Sequence, residues 1–372
     1  MSLIYKNETT VFIDLLRTGL WESIAQISST GHIDWGGVYS LSQEQAVVGV
    51  VAAGIEHTDG VKAPKEIVLS MVGDALQLEK RNASMNTFIS AFVDKLQEED
   101  LHPVLVKGQG VAQCYKRPLW RACGDVDLLL DRSDYDKANL LLQKISDGAG
   151  EESLRRTDRL HSEYYIKDWI VELHGSLHAC LSNRMDEVID EIQDEVFSEK
   201  AVRYWQNGKT QIALPSPDND VIFVFTHILQ HLFLEGVGLR QVCDLTRLLW
   251  VFRDVINRGM LYDRLSKMGV VSEWKAFGCL MVDYLGLPED AMPYYNKAYK
   301  KKAERLLSYM IESGNFGHNR DYSHLTIKHP FKRKILIAWF HLRECFKLAQ
   351  IFPIDAPRFF CRFMIDGIKA AV

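Results

Sequence analysis

Two aspartates separated by a single residue stand just before a run of leucines. The segment GDVDLLL begins at Gly124 and contains Asp125 and Asp127. Because side chains alternate between the two faces of a strand, both carboxylates are expected on one face, about 6.5 Å apart along the strand, with Val126 and Leu128 directed into the core. A few carboxylates combined with substrate phosphates form the kind of site that Mg²⁺ (or Mn²⁺) prefers. Two such cations, roughly 3.5–4 Å apart, can stabilise the attacking and leaving oxygens of an in-line phosphoryl displacement.

A third carboxylate follows in the segment WIVELH, residues 169–174. The alternation of apolar and polar residues predicts a strand with Glu172 and His174 on one face. If that strand lies beside the one that carries Asp125 and Asp127, Glu172 completes a triad of catalytic and metal-binding carboxylates. His174 would then be placed to contact a phosphate or a substrate hydroxyl.

A glycine-containing loop precedes the two aspartates. Residues 104–106 (VLV) have the character of a strand, and Lys107, Gly108 and Gly110 follow, before a short helical stretch. Free backbone N–H groups at such a strand-to-helix turn can receive a phosphate. Lys107 and Arg121 would add positive charge to neutralise a triphosphate. The spacing of the glycines fits neither the Walker nor the Rossmann pattern. The position of the loop just before the aspartate strand is what favours a phosphate-binding role.

The elements that must hold these residues divide the chain into three predicted parts. Residues 1–80 are expected to form an N-terminal helical region, with one helix starting near Ser42. Residues 81–205 alternate between helical and strand-like segments, with a helix capped by Ser133 and a hairpin formed by EYYIK and WIVELH, and predict a small α/β core with a mixed sheet. Residues 206–372 have helical periodicity almost throughout and predict a C-terminal helical domain. The expected fold class is therefore α+β.

Composition limits the classes of partner. The 372 residues are 47% hydrophobic and 25% charged, as in ordinary globular proteins, and the net charge of −5 argues against DNA as a partner. The seven cysteines form no C-x-x-C pair, which argues against a structural zinc site and against a disulfide framework. The first residues lack the features of a signal peptide, and no run is apolar enough to span a membrane. We therefore expect a cytoplasmic protein; the oligomeric state is not predicted.

The stretch VLVKGQGVAQCYKRPLWRACGDVDLLL, together with IVELHGSL, resembles the uncharacterised bacterial nucleotidyltransferase family of the DNA-polymerase-β-like superfamily. The resemblance is strongest over residues 103–180. The positions that match the family pattern are Lys107, Gly108, Tyr115, Arg121, Gly124, Asp125, Asp127, Glu172 and His174. The resemblance implies a polymerase-β-like core and Mg²⁺-dependent transfer of a nucleoside monophosphate from an NTP to an acceptor, with release of pyrophosphate. It does not identify the acceptor, which could be a small molecule, a sugar, a protein or RNA.

Two other interpretations remain open at this stage. His227 and His231 lie four residues apart in a helical stretch and, with Asp244, could bind a metal in a phosphohydrolase. The pair lacks the glutamate of the zincin motif, so a place in the wall of a substrate cleft is the simpler interpretation. Alternatively, the chain is a non-catalytic nucleotide-binding or interaction module.

Overall fold

In the computed structural model the chain is described over residues 7–28, 31–59, 62–149, 160–320 and 329–369. The helices are α1 Asn7–Trp21, α2 Trp35–Glu44, α3 Val48–Glu56, α4 Lys65–Glu98, α5 Gly108–Ala112, α6 Arg132–Ile145, α7 Asn183–Ser198, α8 Pro217–Leu234, α9 Leu239–Val251, α10 Arg258–Met268, α11 Val271–Asp283, α12 Lys300–Ser313, α13 Pro330–Ala349 and α14 Asp355–Lys369. The strands are β1 Ala25–Gln26, β2 Thr58–Asp59, β3 Val104–Val106, β4 Asp125–Leu129, β5 Gly148–Ala149, β6 His161–Ile166, β7 Trp169–His174, β8 Val202–Asn207 and β9 Thr210–Pro215. None of the helices in these ranges is long and apolar enough to cross a membrane.

The main sheet is mixed, with strand order β5-β6-β7-β4-β3-β9-β8. β4 is antiparallel to β3 and parallel to β7, and β3 is parallel to β9. β6 and β7 form the predicted hairpin, in which Ile166 pairs with Trp169 across the two-residue turn. The α+β class is confirmed: a mixed sheet lies between N-terminal and C-terminal helices.

The two faces of the sheet differ in chemistry. On one face Val126 and Leu128 of β4 and Val171 of β7 are fully or almost fully buried, and they pack against α4 and α6 in a separate apolar cluster. This placement of Val126 and Leu128 confirms the predicted alternation. Asp125, Asp127 and Glu172 have the opposite parity and therefore lie on the other face, which is the face available for chemistry.

The secondary structure crosses both predicted boundaries. α4 continues through residue 80 as one helix of 34 residues. Its first half packs on the larger core through Met71 and Ala75, and its second half packs on the sheet through Ile89 and Phe92. β8 continues through residue 205, and β8 and β9 extend the sheet beyond the predicted core. The division into three parts stays a prediction.

Two predicted helix starts were wrong. Ser42 lies inside α2 and its hydroxyl donates to the Val38 carbonyl, while the chain turns at Ala46, with a φ of 54°, before α3 begins. Asp131, not Ser133, caps α6, since its carboxylate accepts a hydrogen bond from the Ser133 backbone N–H. Asp is as good an N-cap residue as Ser, so sequence alone placed this start two residues too late.

Candidate functional site

The sheet brings the three predicted carboxylates together. β4 and β7 are parallel neighbours, with Asp127 paired with Glu172 and Asp125 paired with Ile170. Paired residues on adjacent strands lie on the same face of a sheet, about 5 Å apart. The strand adjacency that sequence could only assume is therefore present. Asp125, Asp127 and Glu172 all line one cavity of about 870 Å³.

Lys107 and His174 both contact Asp127. The Lys107 ammonium lies 2.7 Å from Asp127 Oδ1, and His174 Nε2 lies 3.0 Å from the same oxygen. Burial alone would lower the pKa of His174, but its hydrogen bonds to Asp127 and Glu172 outweigh burial and raise that pKa. Burial likewise opposes the charge of Lys107, but attraction to the carboxylates prevails and raises its pKa. The site thus carries its own cations among its carboxylates.

The carboxylates themselves differ in proton affinity. Burial, followed by the nearby charges of Asp127 and Glu172, raises the pKa of Asp125 to about 6. Burial also acts to raise the pKa of Glu172, but hydrogen bonds from His161 and His174 outweigh it and hold that pKa well below its usual range. Glu172 is therefore ionised and a weak base, suited to holding positive charge.

The loop after β3 turns sharply at two residues with left-handed backbone angles. The φ of Lys107 is 56° and that of Gly108 is 40°. A side chain at Gly108 would be strained at this φ, and its Cβ would lie 3.3 Å from Cys123 Sγ. Gly108 lines the cavity. Gly110 has a packing role in the structure, because a Cβ there would lie only 2.8 Å from a methyl carbon of Leu214.

Arg121 is held by a helix more than a hundred residues away. Its Nε and Nη2 donate to the two carboxylate oxygens of Asp244 on α9, at 3.0 and 2.6 Å. The Tyr115 hydroxyl also donates to Asp244, at 2.7 Å. Asn82 of α4, fully buried, donates to the Arg121 carbonyl at 2.8 Å. Arg121 still lines the cavity, and its Nη1 has no hydrogen-bond partner among the described residues.

Arg240 provides a second guanidinium on the helical side of the cavity. Its Nη1 donates to the Ala122 carbonyl at 3.0 Å, just before β4, and the residue lines the cavity. Burial, followed by the charge of Arg121, lowers its pKa. The proximity of Arg240 to β4 could not be inferred from local periodicity. The sequence did not indicate that Asn82 supports Arg121, because a single asparagine in a long helix has no pattern that marks such a contact.

The alternative metal set is not brought together as a ligand set. Asp244 is committed to Arg121 and Tyr115. His227 Nε2 lies 3.1 Å from His231 Nε2, and His231 Nδ1 lies 2.9 Å from Glu235 Oε2. Burial and the charge of Lys107 hold the pKa of His227 well below its usual range. Both histidines line the cavity, as the cleft interpretation predicts.

The donor set on the strands fits a hard divalent cation. Asp125, Asp127 and Glu172 supply carboxylate oxygens on one rigid face, which is the ligand chemistry of Mg²⁺. His161, on the neighbouring strand, adds a nitrogen: its Nε2 lies 3.3 Å from Glu172 Oε2. The hairpin register pairs His161 with His174, and their rings stack with centroids 4.7 Å apart. The two-residue turn was the signal that could have placed His161 at the site from sequence.

The chain matches the model of a known protein family. A family model described as uncharacterised nucleotidyltransferase matches residues 31–285, which include every strand of the main sheet and helices α2 to α11. Comparisons with curated proteins and with solved structures find no match. Because the family model covers more than half of the chain and spans the whole carboxylate site, the chain belongs to the uncharacterised nucleotidyltransferase family.

Proposed function

We propose that this protein transfers a nucleoside monophosphate from an NTP to an acceptor hydroxyl with release of pyrophosphate, and that the transfer depends on Mg²⁺ or Mn²⁺. The observation that carries the proposal is the in-register pairing of Asp127 with Glu172 on parallel neighbouring strands. This pairing puts three carboxylates on one face, at a cavity large enough for a nucleotide. Membership of a nucleotidyltransferase family supports the same reaction class.

In this proposal each side chain has a separate task. Asp125 and Asp127 would hold the cation that accompanies the NTP, and Glu172 would help to hold a second one. When bound, the cations neutralise the phosphate oxygens and lower the pKa of the acceptor hydroxyl. The hydroxyl oxygen forms a bond to the α-phosphorus, the bond from that phosphorus to the bridging oxygen of pyrophosphate breaks, and the hydroxyl proton leaves to water. Positioning and charge neutralisation supply most of the rate enhancement in such reactions.

The cationic side chains would bind the triphosphate. The Lys107 ammonium lies beside Asp127 and would therefore also lie beside a phosphate bound to the cation there. Gly108 has no side chain, so the backbone can approach that phosphate closely. Arg121 uses two nitrogens for Asp244 and keeps Nη1 for a phosphate oxygen. Arg240 adds positive charge from the opposite wall. His174 completes the nucleotide-binding set by contacting a phosphate or the acceptor.

The test follows two isotopic labels through the reaction. The protein is incubated with Mg²⁺ and each NTP, labelled at the α- or the γ-phosphate, with a deproteinised cell extract as a source of acceptors. We expect the α-label in a new product and the γ-label in pyrophosphate, with both signals lost in the Asp125→Asn/Asp127→Asn variant. Asp136→Asn, on the exposed side of α6, is the matched control and should behave as wild type.

Transfer that persists in the double variant would refute the assignment of the site. Release of the γ-label as inorganic phosphate would indicate a hydrolase, and NTP binding without turnover would indicate a non-catalytic module.

A further inference from the structure

Two histidines share the carboxylate of Glu172. His161 Nε2 and His174 Nε2 lie 3.3 and 3.4 Å from the same oxygen, Glu172 Oε2. One ligand atom from each of the three residues lies within 4.8 Å of the other two. All three residues belong to the β6–β7 hairpin, and the pairing of His161 with His174 fixes them on one face. A hairpin inside a sheet is a rigid support, so the geometry does not depend on a loop.

The separations resemble those between ligands of one metal ion. An N–H···O hydrogen bond usually measures about 2.9–3.0 Å between heavy atoms, shorter than either contact. Ligand atoms about 2.0–2.1 Å from a common cation lie about 2.8–3.0 Å from one another at octahedral angles and about 3.3–3.4 Å from one another at tetrahedral angles. The two measured contacts fall in this second range. A cation placed between His161 Nε2, His174 Nε2 and Glu172 Oε2 would bind all three atoms, in place of the two long contacts.

The ligand chemistry differs from that of the aspartate pair. Asp125 and Asp127 offer only oxygen, whereas the hairpin offers two imidazole nitrogens and one carboxylate. Imidazole ligands suit first-row transition metals such as Zn²⁺ and Fe²⁺, while an all-oxygen set suits Mg²⁺. Asp127 Oδ1 lies 3.0 Å from His174 Nε2, so the two ligand sets are adjacent.

We infer that His161, Glu172 and His174 form a mixed nitrogen–oxygen site for a first-row transition-metal cation, beside the all-oxygen Mg²⁺ site of Asp125 and Asp127. This inference rests on the proposed function, because it assigns the identity of the second cation. The hairpin would hold its own cation before substrate arrives, and the Mg²⁺ would enter with the NTP. His161 and His174 are then metal ligands, so that His174 would act on the phosphate or the acceptor through this cation, and Glu172 has its main role in this site.

The test isolates the hairpin site and reads its nitrogen ligands directly. In the Asp125→Asn/Asp127→Asn background the all-oxygen site is removed, and Mn²⁺ is added as a paramagnetic probe. Pulsed electron paramagnetic resonance should show modulation from ¹⁴N nuclei of histidine in this background. His161→Gln, which keeps a hydrogen-bonding side chain but offers no imidazole, should weaken that modulation. It should also lower the calorimetric affinity for Zn²⁺ by at least about tenfold.

His178→Ala is the matched control. His178 also lines the cavity, but its Nε2 contacts Asp190 at 2.8 Å and it is not part of the hairpin. This variant should keep both the ¹⁴N modulation and the Zn²⁺ affinity. Bound Mn²⁺ without ¹⁴N modulation, or modulation unchanged by His161→Gln, would overturn the inference, as would the absence of any Mn²⁺ or Zn²⁺ binding. None of these results bears on the proposed function, which is tested separately by the labelled transfer reaction and its dependence on Asp125 and Asp127.

Discussion

Buried or half-buried carboxylates occur in two regions of this protein, on the strands that face the cavity and among the helices, and their partners differ. Among the helices, Asp244 is paired with Arg121, and Asp220 lies 2.6 Å from Arg203. On the strands, Asp127 contacts both Lys107 and His174, Glu172 contacts His174, and Asp125 interacts with the charge of Lys107 without a direct contact. The three strand carboxylates have one lysine and two histidines around them, so a further cation would stabilise them, whereas Asp244 and Asp220 each have their own arginine and serve the fold. The negative charge of a carboxylate does not tell a binding site from a structural ion pair; the side chains that contact the carboxylate do.

The largest expected effect is on stability, in the helical region. Arg121 and Asp244 are each 4% exposed, so Asp244→Asn leaves a buried guanidinium without a balancing charge. Breaking such a pair costs about 3–5 kcal/mol of the free energy of unfolding. Urea denaturation of both proteins measures the difference. Glu289→Gln, which breaks an exposed pair with Lys297, is the control and should change stability by less than about 0.5 kcal/mol. Equal effects of the two substitutions would refute a stabilising role for the buried Arg121–Asp244 pair.

The second effect is on nucleotide affinity, on the strands. Lys107→Met removes the ammonium that lies 2.7 Å from Asp127. Charge-assisted hydrogen bonds contribute about 1.5–3 kcal/mol, so the affinity for the NTP with Mg²⁺ should fall by about ten- to a hundredfold. Calorimetric titration measures this change. Lys95→Met, at an exposed position of α4, should leave the affinity unchanged. An unchanged affinity in Lys107→Met would exclude Lys107 from the triphosphate site.

The smallest effect is a dependence of stability on pH. Burial, together with the neighbouring Asp355, raises the pKa of Glu273 to about 8 in the folded protein, against 4.5 for the unconstrained group. The folded state then holds the proton more tightly than the unfolded state, so this contribution to stability is complete below about pH 4.5 and is lost as the pH rises through 8.

Glu273→Gln removes that dependence. At pH 8 the variant should be more stable than wild type by roughly 1–2 kcal/mol, and the difference should shrink towards pH 5. Urea unfolding at both pH values measures it. A wild-type stability that rises from pH 5 to pH 8 relative to the variant would contradict the assignment of Glu273 as a structural group that is protonated in the fold.

The strand side of the site could be predicted because its information is local. The period of two residues placed Asp125 with Asp127 on one face of β4 and Glu172 with His174 on one face of β7, and the hairpin turn fixed the register of β6 and β7. The order of the strands required the additional assumption that β7 lies beside β4, which the structure bears out.

The helical side could not be predicted because its contacts join distant parts of the chain. Arg121 and Asp244 are 123 positions apart, and Arg240 reaches a carbonyl 118 positions away. Periodicity shows which face of a helix is apolar but not which strand that helix meets. The length of α4 was missed for a related reason: its two halves pack on different cores, so its apolar pattern changes near residue 80 although the helix continues.

The most direct test of the account is calorimetric titration of ATP, GTP, CTP and UTP, each with Mg²⁺, into wild type and into the Asp125→Asn/Asp127→Asn variant. We expect one nucleotide to bind wild type only when Mg²⁺ is present, and to bind the folded variant at least about a hundredfold more weakly, or not at all. Equal affinity of the two proteins for that nucleotide would contradict the central claim that the strand carboxylates hold the nucleotide through a metal.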